Sequence, residues 1–147
     1  MLNELGLSYD PRVPTIGIVS RLTSQKGFDL LFEAMPHLLN TRDLRFVVLG
    51  SGEAKYERWF AGLQEAFPSR VCFWRGYNNP LAHRIEASSD IFLMPSLYEP
   101  CGLNQMYSLR YGAVPIVRRT GGLADTVEQY DPVRNTGTGF VFDHYTA

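Results

Sequence analysis

Residues 91–117 read IFLMPSLYEPCGLNQMYSLRYGAVPIV. Ile91 to Met94 is apolar and strand-like, Leu103 to Tyr111 has helical content and length, and Val114 to Val117 is again a buried-strand pattern. A strand, a helix and a strand at this spacing form a parallel crossover unit. The rest of the chain repeats the unit. Strands are predicted at Thr15–Ser20, Leu44–Leu49, Val71–Trp74 and Gly139–Phe142, and helices at Gly27–Leu39, Glu53–Phe67, Leu81–Ala87 and Leu123–Gln129. Phe28, Leu31, Met35 and Leu38 fall at helical spacing, and Pro68 stops the second helix. The pattern predicts an α/β fold, a parallel sheet with helices on both faces. Residues 1–13, polar and rich in turn formers, read as a linker, and residues 14–147 as one domain.

The bulk composition excludes several function classes. The 147 residues are 45% hydrophobic and 20% charged, as in a globular protein with a sizeable core. Net charge is −1 and the cations are scattered, which argues against nucleic acid or an acidic membrane surface as partner. No apolar run approaches the ~20 residues that span a bilayer. The N-terminus lacks a basic start and an apolar signal core. The two cysteines, Cys72 and Cys101, form neither a metal nor a disulfide framework, which predicts a reduced, cytoplasmic setting. His37, His83 and His144 lie apart, no Asp-x-Asp pair is present, and no metal is expected.

In parallel α/β sheets ligands bind outside the carboxyl ends of the strands, where loops lead into helix N-termini. Each strand–helix junction is therefore tested for chemistry. SRLTSQKGFD places Arg21 and Lys26 just ahead of a helix, where fixed charge and unpaired N–H groups make an anion site. A solvated loop is the bland alternative, and position in the fold favours the anion site. LGSGE is a weak dinucleotide fingerprint because its third glycine position holds Lys55, so a simple tight turn is expected. RGYNNP puts Gly76 and Tyr77 in a loop, where Tyr77 either stacks on a base or covers the core. In EPCGLN, Gly102 permits close backbone approach, free N–H groups can hold a phosphate, and Glu99 can accept hydrogen bonds from sugar hydroxyls. Cys101 is a minor candidate nucleophile, with no histidine nearby in sequence. Gly121 and Gly122 in RRTGGLADT are either a backbone contact to ligand or a tight turn.

Taken together, SRLTSQKGFDLL (20–31), VLGSG (48–52), RGY (75–77) and PSLYEPCGLNQMYSLRYGAVPIVRRTGGLADTV (95–127) resemble the C-terminal domain of bacterial glycogen synthases and plant starch synthases. The resemblance runs from about Pro14 to the end, and EPCGL and TGGLADTV are its most specific blocks. It implies a Rossmann-like domain of the two-domain GT-B architecture, belonging to a retaining glucosyltransferase. That enzyme moves glucose from ADP-glucose to the non-reducing end of an α-1,4-glucan without a metal or other cofactor. Arg21 and Lys26 would neutralise the departing diphosphate, Tyr77 beside Gly76 would stack on adenine, and Glu99 would hold glucosyl hydroxyls. Backbone at Cys101, Gly102 and Leu103 and the side chains of Asn104 and Gln105 would lie near sugar and phosphate, with Gly121 and Gly122 lining the same cleft. Wider relatives carry a second glutamate eight residues after the first. Here that position is Tyr107, so their ribose contact does not carry over.

The resemblance also implies a fragment. The N-terminal domain that binds the glucan acceptor would be absent and the C-terminal helices truncated, leaving an isolated domain that binds nucleotide weakly and catalyses little. The setting would be bacterial cytoplasm, or a plastid in a plant. Alternatives are a UDP-sugar-dependent GT-B glycosyltransferase and a non-catalytic nucleotide-binding module.

Overall fold

The computed structural model describes residues 1–146; Ala147, the last residue of the expected domain, lies outside them. Six strands form one sheet: β1 Thr15–Val19, β2 Arg45–Gly50, β3 Val71–Arg75, β4 Ile91–Met94, β5 Val114–Arg118 and β6 Phe140–Phe142. Their order is β3-β2-β1-β4-β5-β6, and each neighbouring pair is parallel. Five α-helices connect them: α1 Leu31–Thr41, α2 Ala54–Ala66, α3 Asn79–Ser88, α4 Asn104–Tyr111 and α5 Gly121–Thr126. This is the Rossmann-like α/β sheet expected from the alternation. Strand order reverses between β1 and β4, which makes their carboxyl ends the topological switch point.

The period-2 geometry of β2 shows how both faces are filled. Phe46 and Val48 join α1 and α2 in one core, with Met35, Leu39, Tyr56 and Phe60 buried against them. Val47 and Leu49 face α3, packing with Leu81, Ala82 and Ile85. Phe60 meets Phe28 edge-on at 5.6 Å between ring centroids and contacts Phe46 and Phe73 at 6.2 and 5.6 Å. Aromatic pairs of this kind add about 0.5–1.5 kcal/mol beyond their area burial.

Three expectations are corrected. Residues 1–13 are not a free linker: Leu2–Leu5 forms a 3-10 turn, and Leu2 and Leu7 are buried on the α3 side against the sheet. Their apolar contacts outweigh the polar composition around them. The first helix does not start at Gly27. That glycine has φ 74° and sits between single 3-10 turns at Ser24–Lys26 and Phe28–Leu30, the second of which runs directly into α1. The helix expected over Leu123–Gln129 starts at Gly121 and stops at Thr126, because Val127 is extended and Gln129 bridges to Gly139.

Candidate functional site

Two loops at the switch point are knitted together. Leu97 N donates to Gln25 O at 2.9 Å, and Gln25 Nε2 donates to Tyr98 O at 2.9 Å. Gly27 closes the first turn at positive φ, and a Cβ there would lie 2.0 Å from the Pro95 carbonyl oxygen, so only glycine fits. The effect is to bring Lys26 onto Glu99: Nζ and Oε2 are 2.5 Å apart, and Ser96 Oγ donates to the same oxygen at 3.2 Å. Lys26 keeps 16% and Glu99 11% of its side chain exposed, so the pair is shielded yet faces open space. That space is a cleft of about 320 Å³ lined by Ser20, Arg21, Lys26, Ser96, Glu99, Gly102, Leu103 and Asn104.

The far wall depends on a glycine pair. Gly122 N donates to Glu99 O at 3.0 Å and to Pro100 O at 3.2 Å, and a Cβ on Gly122 would lie 1.9 Å from Cys101 O. Gly121, at φ 43°, would put a Cβ 2.1 Å from Glu99 O. Both glycines therefore press on the back of the 99–102 loop and are not among the residues lining the two clefts, as in the tight-turn alternative rather than the ligand contact. Gln105 is also a buttress. It is fully buried, and its Nε2 donates to Cys101 O, Gly102 O and Thr126 Oγ1. Asn104 ties α4 to the end of β1 by donating to Val19 O at 2.7 Å and lines the cleft.

A second cleft of about 380 Å³ adjoins the first, sharing Val19, Ser20, Arg21 and Asn104. Gly76 and Tyr77 stand at its rim, and the Tyr77 side chain is 85% exposed, so it covers no core. Ala82, His83 and Glu86 of α3 and Tyr107 of α4 close the other side. Arg21, Lys26, Glu99, Gly76, Tyr77, Gly102, Leu103 and Asn104 are thus brought together along one groove at the carboxyl ends of the strands. Cys101 points outward, exposed, and lines neither cleft. Sequence reasoning missed Ser96 and Glu86. Ser96 carries no motif signal beyond lying close ahead of Glu99. Glu86 could have been found as an acid on the apolar face formed by Leu81, Ala82 and Ile85.

Among the described residues, no group of three or more His, Cys, Asp or Glu gathers as a metal ion would require, and no helix is long and apolar enough to cross a membrane. The thiols differ in environment. Cys72 is buried and burial pushes its thiol pKa up, whereas Cys101 is open to solvent. A thiol reagent at pH 8 is expected to titrate one cysteine per native chain, and the second only in denaturant. Because the folded Cys72 thiol resists ionisation, its contribution to stability is full below the ordinary thiol pKa and declines as pH rises through the elevated one.

Known proteins define the class. A family model for the glycosyl transferases group 1 matches residues 8–147, and the chain belongs to that family. The glycogen synthase of Anaeromyxobacter dehalogenans is 57% identical over 143 residues, covering 97% of this chain and 30% of that protein. Starch synthase 1 of Arabidopsis thaliana, a chloroplastic/amyloplastic protein, is 50% identical over 143 residues, covering 95% of this chain and 22% of that protein. The solved catalytic domain of Arabidopsis thaliana starch synthase IV, bound to ADP and acarbose, matches with a TM-score of 0.85 at 40% identity, covering 97% of this chain and 30% of that one. The chain spans less than a third of the length of these relatives. The resemblance read from the motifs is borne out.

Proposed function

We propose that this chain is the donor-binding part of a glycogen or starch synthase, which transfers glucose from ADP-glucose to the non-reducing end of an α-1,4-glucan with retention. The observation that carries this reading is the convergence of Arg21, Lys26 and Glu99 on one cleft at the switch point, in a chain 57% identical to a glycogen synthase. The acceptor glucan would be held by a second domain of the GT-B architecture, and the setting would be cytoplasm or plastid.

In this reading the bond from the glucosyl anomeric carbon to the diphosphate oxygen breaks, its electron pair leaves with ADP, and the sugar becomes oxocarbenium-like; the acceptor's hydroxyl oxygen then bonds that carbon and its proton passes to the departing diphosphate. Negative charge grows on the diphosphate, where Arg21 and Lys26 stabilise it in a cleft partly shielded from water. Two fixed cations supply this stabilisation without a metal. Glu99 Oε2 is already engaged by Lys26 and Ser96. That commitment suits a carboxylate that holds sugar hydroxyls and favours same-face attack by the acceptor over a glucosyl ester on Glu99. The retained Arg21, Lys26 and Glu99 speak against a non-catalytic module.

The test exploits the acid beside the cations. In the complete enzyme, Glu99→Gln is expected to tighten ADP severalfold, because a negative charge near the diphosphate disappears and Lys26 is released. The same change is expected to lower glucosyl transfer about ten- to hundredfold, because charged hydrogen bonds to the sugar are lost. Calorimetric titration with ADP and a transfer assay with ADP-glucose read the two signs separately. Undiminished transfer by the variant would overturn the role of Glu99, and tighter binding of UDP than ADP would favour a UDP-sugar donor.

A further inference from the structure

A nucleoside held in the second cleft would need an acceptor for its ribose hydroxyls. One buried acid lines that cleft. Glu86 on α3 keeps only 2% of its side chain exposed, and its Oε2 lies 3.2 Å from His83 Nδ1. Among the described residues this is the single hydrogen bond to the Glu86 carboxylate. A buried carboxylate ordinarily gathers several donors, because the desolvation cost is otherwise unmet. Burial indeed pushes the Glu86 carboxyl pKa up, with His83 opposing the shift.

His83 is itself oriented. Its ring packs edge-on against Tyr107 and Tyr111 of α4, with centroids 6.0 and 6.3 Å apart. Tyr107 and Tyr111 thus steady the histidine that contacts Glu86. Arg21 and Asn104, which reach the neighbouring diphosphate cleft, border the same space, and Tyr77 stands across from them. A ribose linking a base on Tyr77 to phosphates at Arg21 passes through this cleft.

We propose that Glu86 is the acceptor for the cis-diol of the donor's ribose, with His83 as its positioning residue. The proposal rests on the nucleotide-sugar reading above. Charged hydrogen bonds to two hydroxyls give discrimination of about tenfold or more between ADP and 2′,3′-dideoxy-ADP. A plain core role for Glu86 gives none.

The experiment titrates the complete enzyme and its Glu86→Gln and Glu86→Met variants with ADP, 2′,3′-dideoxy-ADP and inorganic pyrophosphate. Glu86→Gln keeps the side chain's shape and removes a costly buried charge, so its melting temperature is expected to hold. The expected result is a preference for ADP of about tenfold or more in the parent that falls severalfold in Glu86→Gln, whose neutral amide oxygen still accepts weakly, and collapses to near unity in Glu86→Met, which offers no acceptor, with pyrophosphate binding little changed. Retention of the full preference in either folded variant, or its absence from a parent that binds ADP well, overturns the assignment of Glu86 while leaving the nucleotide reading intact. Failure of the parent to bind any nucleotide overturns both.

Discussion

Lys26→Ala in the complete enzyme is expected to cut turnover about a hundred- to a thousandfold, the loss found when one preorganised charge-stabilising donor is removed from a transition state. ADP affinity is expected to fall less, because Arg21 and Asn104 still line the cleft. The asymmetry follows from where charge develops. The intact donor carries diphosphate charge shared with the sugar ester, and the departing ADP carries more, so a cation at Lys26 acts more strongly late than early. The variant also leaves Glu99 without its cation, although Ser96 still donates to it. A thermal melt taken beside the kinetics separates a misplaced loop from a missing charge. Unchanged turnover in a folded Lys26→Ala protein ends the leaving-group assignment.

The second large effect is structural. Gly122→Ala is expected to destabilise the protein by about 2–4 kcal/mol, lowering the melting temperature by roughly 8–15 °C. Helix propensity alone predicts the opposite sign, since alanine is favoured over glycine by about 1 kcal/mol. The clash decides: the new Cβ would sit 1.9 Å from Cys101 O and 2.6 Å from Cys101 Cα, and these are backbone atoms of a loop already pinned by two hydrogen bonds from Gly122 N. The loop that moves carries Glu99, so donor binding is expected to weaken as well. Gly62→Ala supplies the control. Gly62 lies in α2 with nothing within 4 Å of an added Cβ. There alanine is expected to stabilise by about 0.5–1 kcal/mol. A neutral Gly122→Ala in the same melt would show that the loop yields freely.

Much of this fold was legible because buried parallel strands are written as short apolar runs. Residues 44–49 and 91–94 could be read without their surroundings, and strand–helix alternation then fixed the sheet type. Arg21, Lys26 and Glu99 were legible because strand–helix junctions are few and polar clusters there have few structural excuses. The role of the glycine pair at 121–122 stayed open in the sequence for a physical reason. Low helix propensity marks a loop, whereas the close approach of the Glu99–Cys101 backbone, visible only in three dimensions, forces glycine into a helical first turn. Leu2 and Leu7 were hidden among turn formers, since their burial depends on a sheet face far away in sequence. Glu86 went unread because its burial depends on α4, whose Tyr107 and Tyr111 pack against the neighbouring His83.

The ion pair at the switch point joins residues 73 positions apart, across a seam where Ile16 pairs with Ile91. The three strands β1, β2 and β3 can associate consecutively, but the ligand pocket has no acid wall until β4 returns to dock beside β1. Closing so long a loop is entropically slow. On the proposed function, full nucleotide affinity belongs to the end of chain assembly: an intermediate with β1, β2 and β3 alone lacks Ser96, Glu99 and Asn104 of the cleft, and a bound nucleotide would act as a latch that stabilises only the finished molecule.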